Sequence, residues 1–178
     1  IAVVQSKLCI GLKCGIEPTS KEYYALMLGG CIFGGSPFSK LFTNVREKLS
    51  LAYYASVRTE RFKSTMFISS GIETDKYQAA YDEILVQFNK MKSGDITDSE
   101  VVNSKLYLTN GFNSMKDGLR TMEDYYLSQA IMDNKGEIDD LIEMTNKVTK
   151  EEIVEAFNKV EIDTVYFLKG CASDGGDE

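Results

Sequence analysis

The sequence predicts an α+β domain: a mostly antiparallel sheet with helices packed on one face. Three observations carry that expectation. Hydrophobic periodicity along the 178 residues runs strand, two helices, two strands, several helices, strand, which is a helical layer over a sheet and not an alternating βαβ order. Two of the strand patterns, 51–62 and 64–73, lie close enough to form a hairpin, with its turn near Arg61 to Ser64. The composition, 43% hydrophobic and 26% charged, is that of a globular chain long enough to bury one proper core.

The first strand spans residues 3 to 14, where Leu8, Ile10 and Leu12 alternate onto one face. "PTSKE" follows, and Thr19 with Glu22 has the spacing of a capping box that opens a helix. That helix reads "KEYYALMLGGCIF", with Tyr24, Leu28 and Cys31 one above another, and Gly34-Gly35 stops it. A second short helix, "SKLFTNVREKL", stacks Leu41, Phe42, Val45 and Leu49. Arg46 lies one turn beyond Phe42, on the flank of that stripe. In "LAYYASVRTERF" the alternation sets Leu51, Tyr53, Ala55 and Val57 on a shared face. The clearest helical pattern covers 76 to 92, where Tyr77, Ala80, Tyr81, Ile84, Leu85, Phe88 and Met91 keep helical spacing. Thr97 and Glu100 open a long helical stretch to about residue 133, weakened around Gly111 and Gly118. A short helix near 137 to 147, and another from Thr149 with Glu152 as box partner, precede the last strand, "DTVYFLKG". Residues 1–170 are expected to form one domain, followed by a polar tail at 171–178. The start at Ile1, already in a strand pattern, is what a piece of a longer protein would show.

Composition also removes whole classes of function. A net charge of −7 with scattered basic residues argues against a nucleic-acid partner, which calls for a basic face. No run of about 18 apolar residues is present, so no membrane span is expected. The four cysteines (Cys9, Cys14, Cys31 and Cys171) read as free thiols of a cytoplasmic protein. Cys9 and Cys14, five apart on a strand, point to opposite faces and make a poor metal site. The chain contains no histidine, which excludes Ser–His and Cys–His catalysis and two-histidine zinc motifs from these residues.

Among the remaining motifs, "LGGCIFGGSPFSK" has phosphate-loop glycine spacing at Gly30 and Gly35. Ser36, however, stands where the lysine should be, and the stretch follows a helix. Its glycines read as a helix stop between two helices. Glu123 and Asp124 are adjacent on a helix and face different ways, so they read as a solvated edge. Arg46 and Tyr53 remain. An arginine beside an apolar stripe is a structural ion-pair residue or a site residue, and its position alone leaves both open.

The stretch "GGSPFSKLFTNVREKLSLAYYASV", residues 34 to 57, resembles the signature of the C-terminal-type domain of the insulinase, pitrilysin and mitochondrial-processing-peptidase family of inverzincin metallopeptidases. The resemblance covers essentially the whole chain and is nearest the histidine-poor subunits that pair with a metal-binding partner. It implies repeated α+β domains that close over an unfolded peptide. One domain carries His-x-x-Glu-His and zinc. A zinc-free relative supplies an arginine and a tyrosine, which fall on Arg46 and Tyr53 with their seven-residue separation. The resemblance therefore implies a peptide substrate, a metal-binding partner domain or homologous subunit, no metal or cofactor in this chain, and zinc in the partner. The chain alone is expected to be inactive. A non-proteolytic peptide-binding or scaffold subunit of the same fold is the alternative that the resemblance also allows.

Overall fold

The structure is a computed structural model that describes residues 5–170. Four strands, β1 (Ser6–Lys13), β2 (Ala52–Glu60), β3 (Thr65–Ile72) and β4 (Glu161–Leu168), form one sheet in the order β2-β3-β1-β4. Every pairing in it is antiparallel. The expected polar tail and the first residues of the strand pattern at 3–14 lie outside the described residues.

The sheet has one buried face because apolar residues alternate along its two central strands. Leu8, Ile10 and Leu12 of β1 and Met66, Ile68 and Ile72 of β3 are all essentially inaccessible. Over that face lie the helices α1 (Glu22–Gly30), α2 (Tyr77–Ser93) and α6 (Lys150–Asn158), which bury Leu26, Leu28, Ile84, Met91, Ile153 and Phe157. Each such side chain contributes roughly 1.5–3 kcal/mol on leaving water. Phe33, Phe88 and Phe157 meet at the centre, with Phe33 edge-on to Phe157 at a 5.9 Å centroid separation. Helices α3 (Asp98–Met115), α4 (Leu119–Ile131) and α5 (Ile138–Lys147) complete the layer around a smaller cluster of Tyr125, Ile138 and Leu141.

Local chemistry accounts for most boundaries. Thr97 and Glu100 form a full capping box at the start of α3, as do Thr149 and Glu152 at α6. The hairpin turn closes through Ser64 N–H to the Arg61 carbonyl at 3.2 Å. The long stretch after Thr97 breaks at Gly118, the extended residue before α4, and not at Gly111, which sits inside α3.

One expectation is corrected. Thr19 and Glu22 do not form a capping box: α1 begins after Lys21 with no side-chain cap, and Glu22 instead takes the Lys159 ammonium. The expected stop at Gly34-Gly35 holds, since the helical run ends at Gly35 and Ser36 is extended. α1 runs on as a π-helical turn over Cys31–Gly35, and neither glycine has positive φ. Close packing explains Gly34, because a Cβ there would stand 2.4 Å from Val57 Cγ2 of β2.

Candidate functional site

Arg46 sits on a π-helical segment, Phe42–Lys48, whose Val45 is fully buried, as is Leu41 just before it. The apolar stripe thus fixes one side of the helix and leaves Arg46 on the exposed flank. Leu49 N–H bonds to the Asn44 carbonyl at 3.2 Å, the five-residue step of a π-helix. Leu51 N–H then reaches the Val45 carbonyl at 2.9 Å and turns the chain into β2. The Arg46 guanidinium carbon stands 4.6 Å from the Phe42 ring centroid. None of the ion pairs among the described residues involves Arg46.

The start of this helix is anchored to α3. Lys40, nearly buried, places its ammonium 2.9 Å from Glu100 Oε1, while Glu100 Oε2 accepts the Thr97 backbone N–H. Burial alone raises the Glu100 carboxyl. The Thr97 N–H and the Lys40 ammonium outweigh it, so the group lies below its ordinary value.

Tyr53 is placed by an irregularity. Ala52 pairs with Ile72 and Tyr54 with Gly71, so Tyr53 is the extra residue of a β-bulge. This corrects the shared face expected from strict alternation: Ala55 is buried, whereas Tyr53 is 59% exposed. Its hydroxyl donates to Glu73 Oε1 over a long 3.5 Å. Lys76 Nζ lies 3.1 Å from the same carboxylate oxygen.

Arg46 and Tyr53 line one open cleft of about 390 Å³, together with Ser50, Leu51, Glu73 and Lys76. A second cleft, about 310 Å³, shares Arg46 with the first and is walled by Phe42, Tyr54, Tyr107 and Ser36. Arg46 therefore borders two concavities, the first of which also holds Glu73 and Lys76, and it makes no ion pair among the described residues. Such an arrangement can receive an anion or a polarised carbonyl oxygen.

Among the described residues no group of three or more His, Cys, Asp or Glu side chains could hold an ion. Cys14 is buried, with its thiol pushed up to about 11 by burial, so it stays protonated near neutrality. Among the described residues no helix is long and apolar enough to cross a membrane.

Two features of the site escape sequence reasoning. Glu73 and Lys76 lie about twenty residues beyond Tyr53 and carry no motif; only the β2–β3 pairing brings them to it. The bulge at Tyr53 and the π-helical geometry under Arg46 likewise leave no periodicity signal.

Residues 2–108 match the family model described as the peptidase M16 inactive domain. The chain is 39% identical over 168 residues to the "Probable inactive metalloprotease YmfF" of Bacillus subtilis (strain 168), covering 94% of this chain and 39% of that protein. It is 28% identical over 163 residues to the "Uncharacterized zinc protease YmxG" of the same organism, covering 90% of this chain and 37% of the relative. The chain thus spans about two fifths of the length of these curated relatives. Among solved structures, a conserved protein from Enterococcus faecalis V583 superimposes with a TM-score of 0.89 at 32% identity, over 96% of this chain and 40% of that one.

Proposed function

The chain belongs to the peptidase M16 family as one of its inactive domains, and from that premise we propose that it closes over a peptide substrate and lends Arg46 and Tyr53 to a zinc site carried by another domain or subunit. The observation that supports this reading is the cleft itself: Arg46 and Tyr53 line it together, and Arg46 enters it without a carboxylate partner among the described residues. Attack on a peptide carbonyl places negative charge on its oxygen. A phenolic hydroxyl and a guanidinium aimed there bind the transition state more tightly than the ground state. One such donor is worth about 3–4 kcal/mol of barrier. The metal chemistry belongs to the partner; this chain's part is to receive the anion and hold the peptide.

A second reading has its own support. The 39% identical relative bears the name of an inactive metalloprotease, whereas the 28% identical one bears that of a zinc protease. In the second reading the domain grips a peptide or a partner subunit and no bond is cut. Purifying the full polypeptide with its metal-binding domain or subunit, and assaying it on unfolded peptides with and without chelator, separates the two. Zinc-dependent cleavage supports the first. Retained peptide binding without cleavage, in a preparation holding stoichiometric zinc, supports the second.

A further inference from the structure

The cleft contains two charged side chains that the reading above leaves without a role. Glu73 follows β3, and Lys76 ends the short 3₁₀ turn Thr74–Lys76 that leads into α2. Lys76 Nζ lies 3.1 Å from Glu73 Oε1 and donates to the Ser50 carbonyl at 3.4 Å. The same Glu73 oxygen accepts the Tyr53 hydroxyl. Ser50 is the turn residue between the Arg46 helix and the Tyr53 strand, and it holds a left-handed φ of +48° that disfavours serine. A single ammonium therefore touches both the strained turn joining the two site residues and the acceptor of one of them.

The charges make this arrangement consequential. Among the described residues, Arg46 and Lys76 are the two cations lining the cleft, and Glu73 is its one carboxylate. A Glu73 carboxylate released by Lys76 shares the cleft with Arg46, the other cation that lines it among the described residues, and opposite charges in one concavity attract. An Arg46 guanidinium neutralised in that way no longer receives an incoming anion.

We propose that Lys76 is a positioning residue for this cleft: by holding Glu73 and Ser50 together, it keeps the carboxylate on Tyr53 and off Arg46. The proposal rests on the reading that this cleft meets substrate, but its direct consequence, the state of Arg46, is measurable without turnover. The Arg46 side-chain Nε–H signal, identified by its loss in Arg46→Lys, is followed by nitrogen-15 NMR in this chain. In Lys76→Met it should move downfield and exchange more slowly with water, as Glu73 pairs with Arg46. In Lys76→Met/Glu73→Gln it should return toward its original position, and in Lys76→Arg it should stay there. In the full protein with its metal-binding partner, Lys76→Met should lower kcat by about a hundredfold, the scale of a misplaced catalytic group, and Glu73→Gln should restore most of that loss. An Arg46 signal unmoved in Lys76→Met, or no closer to the original in the double variant, overturns the proposal. A signal that moves and recovers in a protein whose turnover also ignores Arg46→Ala upholds the positioning role and removes the catalytic reading instead.

Discussion

The Arg46 guanidinium is held over the Phe42 ring, four residues back on the same helix, with 4.6 Å between cation and centroid. The ring's negative face fixes a long side chain that has no carboxylate partner among the described residues. Phe42 walls the second cleft, so the guanidinium is kept at the border of the two concavities. Phe42→Leu keeps an apolar side chain there and removes the ring. It should cost at most about 1 kcal/mol of stability, the scale of an exposed cation–π contact, while broadening the Arg46 side-chain NMR signals. A sharp, unchanged Arg46 signal would show that the ring does not hold it.

The Lys40–Glu100 pair should behave as a buried anchor. With side-chain exposures of 8% and 23%, it is the least exposed ion pair among the described residues. Lys40→Met strands the Glu100 carboxylate and should destabilise the chain by about 3 kcal/mol in urea unfolding, whereas Lys40→Met/Glu100→Gln should recover part of that loss.

The same pair sets a pH dependence. Glu100 lies below its ordinary value of 4.5 in the folded chain. A carboxyl lowered by folding adds stability that is complete above the unfolded value and is lost as pH falls through the folded one. Stability should therefore decline as pH drops below about 4.5, and Lys40→Met should flatten that part of the profile. Parallel profiles in urea titrations would assign the decline to other carboxylates.

Gly34 should resist any side chain. A Cβ there meets Val57 Cγ2 at 2.4 Å and Val57 N at 3.0 Å, and backbone cannot yield as a rotamer can. Gly34→Ala should cost about 1–3 kcal/mol in thermal or urea unfolding, with Val57→Ala in the same chain restoring only a fraction. A neutral Gly34→Ala would mean that the π-helical turn and β2 separate easily.

Helices α3 and α4 expose large apolar side chains, among them Val102, Leu106, Leu127, Ile131 at 65% and Leu119 at 89%. Such surface is adhesive in water. Sedimentation should show concentration-dependent association that Leu119→Lys with Ile131→Lys reduces. A strict monomer at high concentration would contradict this.

The layered fold was legible because its determinants are local and periodic. Leu8, Ile10 and Leu12 alternate, Ala80, Ile84, Phe88 and Met91 recur at helical spacing, and the boxes at Thr97 and Thr149 announce their helices. The Thr19 box misled because Glu22 had a better partner in Lys159, which is 137 residues away in sequence. Arg46 and Tyr53 came forward as candidates through the resemblance and not through geometry. Strict alternation put Tyr53 on the wrong face, since one inserted residue resets a period of two. Glu73 and Lys76 were invisible, because strand pairing and not spacing carries them to the cleft.

The most direct measurement is steady-state kinetics of Arg46→Ala and Tyr53→Phe in the full protein with its metal-binding partner, alongside thermal unfolding of each variant. Arg46 makes no ion pair among the described residues, and Tyr53 is exposed with one long hydrogen bond, so neither change should shift the unfolding midpoint much. Each should lower kcat by about a hundredfold or more, as loss of a transition-state donor does. Unchanged kcat together with a lowered unfolding midpoint would contradict the account and return both residues to the fold.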